Sequence, residues 1–229
     1  MIISKRLKCI ADLIQKYKEG DVLGDIGSDH AYLPCYLIEN KIVEYTYACD
    51  VAKGPLDSAI ENINYYGLND KVKPLLGSGL IPIKNKDVDM VSISGMGAYL
   101  ICDIFNQSME TVHKTKVFFL QANANIDHLR AYLFEHDFMI IDEEIIKEGN
   151  HIYEILVVKK NSEKINYSQD DIDFGPILLK KQPQLFKDKW LKQIDVLKKI
   201  QDTIDPTHQK HLEIDKKIKQ VERILYESK

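Results

Sequence analysis

Asp21-Val22-Leu23-Gly24-Asp25-Ile26-Gly27-Ser28-Asp29-His30 is the stretch whose reading decides the fold. Its first six residues read as a short buried strand. Gly27-Ser28-Asp29-His30 reads as a turn, and an apolar helix follows over residues 31–38. A glycine directly after a strand lets a ligand come close to the backbone, because no Cβ stands in the way. The free N–H groups at the start of the next helix favour a negative ligand group.

Upstream, Ile3, Leu7, Ile10, Leu13 and Ile14 recur at helical spacing behind Ser4, a suitable N-cap, and Gly20 closes that helix. Downstream, strands alternate with helices. A strand over 45–49 ends on Asp50, and a helix covers 55–66. A third strand over 72–76 is stopped by Gly77-Ser78-Gly79. A fourth over 88–93 is stopped by Ser94-Gly95-Met96-Gly97. A helix over 98–105, a fifth strand over 116–120 and a helix over 126–135 follow. Residues 138–146 and 152–159, around Gly149-Asn150, predict a closing hairpin. This alternation predicts a Rossmann-like α/β domain with a mostly parallel sheet and helices on both faces. Ligands of such sheets bind at the carboxyl ends of the strands, where every Gly-rich turn of this chain falls.

The pattern changes near Lys160. Asn161-Ser162-Glu163-Lys164 is polar and reads as a linker, so residues 1–160 form the predicted catalytic domain and 161–229 a helical one. Trp190, Ile194, Leu197 and Ile204 trace one seam, which Pro206 breaks. His211, Ile214, Ile218, Val221 and Leu225 trace a second at three-four spacing. Two such helices joined at Asp205-Pro206 predict an antiparallel, coiled-coil-like hairpin.

Composition bounds the function. The 229 residues are 45% hydrophobic and 29% charged, which suits one α/β domain with an appendage. The first residues carry charges where a signal peptide needs an apolar run, and no stretch approaches the ~18 apolar residues of a membrane span. Cys9, Cys35, Cys49 and Cys102 are scattered, as expected of free thiols in a reducing cytoplasm, and suggest no metal knuckle. Residues 160–229 hold 15 Lys and Arg against 12 Asp and Glu, a net +3. Residues 1–159 hold 16 against 23, a net −7. A basic tail on an acidic body is compatible with a polyanionic partner, although charge alone favours a solvated lysine-rich surface.

The first turn selects among cofactors. A dinucleotide site needs G-x-G-x-x-G, since a pyrophosphate wants backbone on all sides. Only Gly27 is present here; Asp29 and Ala31 stand where further glycines belong, and Asp29 would repel a phosphate. S-adenosyl-L-methionine has a sulfonium, an ammonium and a carboxylate but no phosphate, so acidic groups suit it. Asp25, Gly27, Ser28 and His30 are the candidates at this turn. Asp50, with Val51 beside it, ends the second strand, where a carboxylate can accept hydrogen bonds from ribose hydroxyls. Gly77 and Ser78 would lie against the adenine. Gly95 and Met96 end the fourth strand, where a transferred methyl group would meet its acceptor. Gln121-Ala122-Asn123 ends the fifth, and its amides either read a base edge or hold neighbouring loops. Each has a plainer reading: Asp29 as a helix cap, Met96 as core, and Lys5, Arg6 and Lys8 as a solvated helix face or phosphate contacts.

Ser4-Lys5-Arg6-Leu7, the run from Asp25 to Pro34, Gly54-Pro55, Ser94-Gly95-Met96-Gly97, Tyr153-Glu154-Ile155 and Phe174-Gly175-Pro176 together resemble the bacterial tRNA (adenine-22-N1)-methyltransferases. The resemblance spans nearly the whole chain and implies methyl transfer from S-adenosyl-L-methionine to N1 of an adenine in tRNA. It implies a tRNA-binding C-terminal domain. Asp29, whose carboxylate would stabilise a cationic product base, and Met96 and Asn123 at the strand ends are the candidates nearest the chemistry. Two positions depart from the family pattern: Ser78 replaces an acidic or amide residue, and Ala122 replaces a proline. A monomer without metal or membrane attachment is expected. The competing classes are a nicotinamide oxidoreductase, a methyltransferase for another substrate, and an RNA-binding protein with a vestigial cofactor fold.

Overall fold

The computed structural model describes residues 1–161 and 165–226. Of the polar linker, Ser162, Glu163 and Lys164 lie outside the described residues. The chain divides into two compact units, Met1–Ile177 and Leu178–Lys229. The division falls beyond the end of the last strand at Lys160, because the segment around Phe174-Gly175 packs on the first unit.

The first unit is built on seven strands: β1 (Val22–Ile26), β2 (Tyr45–Asp50), β3 (Val72–Leu76), β4 (Met90–Met96), β5 (Val117–Ala122), β6 (Phe138–Glu148) and β7 (His151–Lys160). Their order across the sheet is β3-β2-β1-β4-β5-β7-β6. β1 to β5 pair in parallel, and β7 runs antiparallel to both β5 and β6. The order reverses between β1 and β4, so the crevice of the sheet opens above these two strands.

Helices cover both faces. α1 (Lys5–Tyr17), α2 (Tyr32–Glu39) and α3 (Lys53–Tyr65) pack on one, and α4 (Ala98–Gln107), α5 (Met109–Lys114) and α6 (Ile126–Glu135) on the other. β5 carries the evidence for two covered faces: all six residues are buried. Phe118 and Leu120 join the core under α4 and α6, whereas Val117 and Phe119 join the core under α1. Side chains alternate faces along a strand, so one apolar run serves two cores. Ser4 caps α1, accepting a hydrogen bond from the Leu7 N–H at 3.2 Å.

α7 (Gln169–Phe174), opened by a Ser168–Asp171 capping box, and α8 (Pro176–Lys181) follow the sheet; neither was anticipated from periodicity. In the second unit, α9 (Gln184–Gln201) and α10 (Gln209–Tyr226) pack together around Trp190, Ile194, Ile214, Ile218 and Val221. The seam ends on Ile224 rather than Leu225, and Leu197 is only partly buried. Three-four spacing permits either neighbour, and packing chooses one. Among the described residues no helix is long and apolar enough to cross a membrane.

Candidate functional site

The β1 turn leaves the sheet as a strained hook. Gly27, Asp29 and Ala31 all take positive φ (71°, 52° and 54°). Asp is among the few side chains that tolerate this region, and Gly27 is suited to it without cost. The Gly27 and Ser28 N–H groups both donate to the Cys49 carbonyl, at 2.9 and 3.0 Å, which ties the hook to the end of β2. Ala31, not Asp29, is the N-cap residue of α2, and no side chain caps that helix. The capping role open to Asp29 in the sequence is therefore not the one it plays.

Asp25 and Ser28 support the turn from beneath. Asp25 is buried and accepts hydrogen bonds from the hydroxyls of Ser28 (2.7 Å) and Ser92 (2.6 Å). Burial pushes its carboxyl above the ordinary Asp range, while the two hydroxyls and the Arg6 charge pull the other way. Burial likewise raises the neighbouring Cys49 thiol to about 12, with Asp25 adding to the effect.

Above the turn lies a cavity of about 310 Å³, lined by Gly27, Asp50, Val51, Gly77, Ser78 and Met96, among others. These six come from four strand ends, β1 to β4, and all six are positions the sequence singled out. A Cβ at Gly27 would collide with the terminal methyl of Met96, so the glycine makes room for that side chain to close over the turn. Asp50 accepts from the Ala52 N–H (2.9 Å) and from the Asp29 N–H (3.3 Å), one bond to each carboxylate oxygen. A carboxylate has about four acceptor positions, so two remain for a ligand.

The other candidates lie outside this lining. Asp25 and Ser28 turn toward each other below it. His30 is half-buried, 3.6 Å from Asp29 and ring-to-ring with Tyr32, and it lies outside the cavity lining as a rim residue. Asp29 is exposed beside it. Gly95 and Asn123 form a separate arrangement at the ends of β4 and β5. Sequence reasoning ended β4 before Gly95; the strand continues to Met96 through a bulge, at which Gly95 has φ 81°. A bulge orphans backbone groups, and here side chains recover them. The Gly95 N–H donates to Gln121 Oε1 (3.0 Å), and its carbonyl accepts from Asn123 Nδ2 (2.7 Å). Gln121 Nε2 donates to Asn123 Oδ1 (3.0 Å), which closes the circuit. Of the two uses open to these amides, the structure has them holding the loop.

Sequence reasoning missed Leu100 and Ile104, which also line the cavity. Their four-residue spacing on the first helix after the β4 turn was the available signal. Among the described residues, no group of three or more His, Cys, Asp or Glu could hold a metal ion.

A mostly parallel sheet, a glycine hook at the switch point and a carboxylate at the end of β2 define a Rossmann-like protein with a nucleoside-cofactor cavity. The family model for tRNA (adenine(22)-N(1))-methyltransferase matches residues 23–224, and the chain belongs to that family. It is 32% identical over 206 residues to the tRNA (adenine(22)-N(1))-methyltransferase of Bacillus subtilis, across 88% of this chain and 85% of the relative. Among solved structures, it is similar to Streptococcus pneumoniae Sp1610 in complex with S-adenosyl-L-methionine, with 33% identity and a TM-score of 0.90. That match covers 98% of this chain and 100% of the other. It is also similar to M. capricolum TrmK in complex with S-adenosyl-homocysteine, at 31% identity and TM-score 0.86 over 97% of both chains.

Proposed function

We propose that this chain transfers a methyl group from S-adenosyl-L-methionine to N1 of adenine 22 in tRNA. The observation that carries the reading is the cavity at the carboxyl ends of β1 to β4, floored by Gly27, with the Asp50 carboxylate in its wall. The bound cofactor would supply an electrophilic sulfonium methyl. Gly27 lets Met96 close over the turn, Asp50 accepts from the cofactor's ribose hydroxyls with Val51 alongside, and Gly77 and Ser78 flank its adenine. Asp25 and Ser28 act beneath the turn by fixing its shape. His30 acts at the rim.

Adenine N1 carries an in-plane lone pair and needs no deprotonation. The work of the protein is therefore alignment, for which positioning supplies on the order of 10⁵–10⁸ M of effective molarity. N1 lies on the Watson–Crick edge, so the base must leave its partners, at a cost of a few kcal/mol. Met96 offers an apolar face at the acceptor end of the cavity, and Asn123 acts by holding the strand end that carries it. Asp29 stabilises the positive charge that develops on the base. The four thiols, none of them in a disulfide, suit a cytoplasmic setting for tRNA modification.

Calorimetry tests the cofactor site. Asp50→Ala is expected to weaken S-adenosyl-L-methionine binding by roughly 1–3 kcal/mol, the scale for hydrogen bonds to a charged group. Unchanged affinity in a folded variant would rule out the ribose role.

The helical unit is assigned to gripping tRNA phosphates without reading sequence. Lys192 and Lys199 on α9, and Lys210 and Lys216 on α10, are exposed cations that support this. Replacing all four with Gln is expected to weaken tRNA binding and flatten its salt dependence by up to about 0.7–0.9 in log–log slope per lost phosphate contact. Cofactor affinity should stay the same. A salt slope equal to wild type would remove the helical unit from the interface.

A further inference from the structure

Arg6 sits on α1, ahead of the residues the family model matches, and on the sequence alone it passes for one cation of a solvated helix face. The structure gives it a specific partner. Its Nη1 donates to Gln121 Oε1 at 2.7 Å, the same oxygen that accepts the Gly95 N–H. Gln121 is fully buried. The guanidinium also covers Gly95: a Cβ there would lie 3.2 Å from Nη1, and the guanidinium carbon stands 5.5 Å from the centre of the Tyr153 ring.

We propose that Arg6 is a positioning residue for methyl transfer, acting through Gln121 and Asn123 on the bulged end of β4 that presents Met96 to the cavity. This rests on the methyltransferase reading above. The circuit has a direction. Gln121 must offer its oxygen to Gly95 and its NH₂ to Asn123, and Asn123 must offer its NH₂ to the Gly95 carbonyl. An amide side chain can flip; a guanidinium cannot, because it only donates and stays charged. Arg6 therefore reinforces the orientation of Gln121 that the Gly95 N–H already requires, by placing a second, charged donor on the same oxygen. The charged donor also strengthens its bond to Gln121 beyond an ordinary amide contact. α1 holds Arg6 in place by two means. Ile10, Ala11, Leu13 and Ile14 bury its apolar face, and the Lys5 N–H donates to Glu148 Oε1 at 2.6 Å. The bulge thus depends on residues 26, 28 and, through Gln121, 115 positions away from their partners in the chain.

The test compares wild type, Arg6→Ala, Arg6→Lys, Asn123→Ala and the Arg6→Ala/Asn123→Ala double variant, all as full-length chains. Calorimetry with S-adenosyl-L-methionine should give affinities within about threefold of wild type, since the cofactor cavity contains none of these residues. Single-turnover methylation at saturating tRNA should fall 10- to 100-fold in Arg6→Ala, with KM for tRNA within about threefold, and recover in part in Arg6→Lys. The double variant should be little worse than the poorer single variant, because groups that act as one unit are not additive. Independently of activity, the Gly95 amide should exchange its hydrogen at least 10-fold faster in Arg6→Ala. Failure of wild type to methylate tRNA would overturn the functional reading, and the Gly95 exchange rate would still judge the circuit. A rise in KM alone would instead make Arg6 a tRNA phosphate contact and overturn the proposal. So would fully additive losses, or an unchanged Gly95 exchange rate.

Discussion

Asp29→Asn is expected to lower the single-turnover rate of tRNA methylation by roughly 10²-fold, the scale of losing one preorganised electrostatic contact. Affinity for S-adenosyl-L-methionine should change far less. The two effects separate because Asp29 lies outside the cavity lining and meets it only through its backbone, whose N–H donates to Asp50 at 3.3 Å. Asn keeps that N–H, tolerates the same positive φ and retains one acceptor oxygen. It removes the charge and turns the second oxygen into an NH₂ donor. Helix stability does not confound the experiment, since Ala31 occupies the N-cap of α2. The negative charge matters most as N1 becomes cationic, so its loss should appear in turnover rather than in ground-state binding. A folded Asp29→Asn enzyme that methylates at the wild-type single-turnover rate would take Asp29 out of the chemistry.

The second large effect is on stability. Arg130 of α6 is fully buried, as is Glu143 of β6, and Glu154 of β7 is nearly so. Arg130 Nε donates to Glu143 at 2.9 Å, and its Nη2 reaches Glu154 at 2.5 Å. Burial pulls the guanidinium down, and the two carboxylates more than offset it, so its pKa lies above the ordinary value. The second Glu143 oxygen accepts from the Ile177 N–H at 2.8 Å. Gly175 crosses directly over the cluster; a Cβ there would lie 2.5 Å from one Glu143 oxygen and 2.7 Å from Arg130 Nη2. At φ 91°, the residue is glycine for both reasons. The cluster thus anchors Phe174-Gly175-Pro176 to the sheet. Arg130→Leu should cost about 3–5 kcal/mol, because it removes the guanidinium from between two buried carboxylates. That is a large part of the ~5–15 kcal/mol that holds a typical domain together. Replacing Arg130, Glu143 and Glu154 together with apolar residues should restore much of the loss. Urea denaturation of the first unit checks both; an Arg130→Leu variant as stable as wild type would refute the account of the cluster.

What could be read from sequence divides by the distance over which the physics acts. The β1 turn was legible because strand, glycine and helix are contiguous, and each imposes its own backbone requirement. The β6–β7 hairpin was legible for the same reason. The four glycine-rich or acidic strand ends could be placed together because a parallel sheet brings its carboxyl ends to one edge. The bulge at Gly95 was not legible. A glycine and a methionine after an apolar run read as the end of a strand, and only Gln121 and Asn123, across a sheet pairing, make it continue. Arg130 was equally opaque. A lone Arg in a helix normally faces solvent, and its partners lie on two strands of a hairpin further along the chain. Asp25 and Ser28 stood in the sequence as cofactor-site candidates. Only the fold reveals that they serve the turn from below rather than from within the cavity.

Methyl transfer to one base of tRNA can be measured directly. The most direct measurement is to incubate the purified full-length protein with unmodified tRNA and isotopically labelled S-adenosyl-L-methionine. The tRNA is then digested for mass spectrometry of its nucleosides and of the fragment that contains position 22. The predicted result is labelled 1-methyladenosine confined to that fragment. Label in any other nucleoside, label at another position, or no label in tRNA under conditions where the cofactor is bound would contradict it.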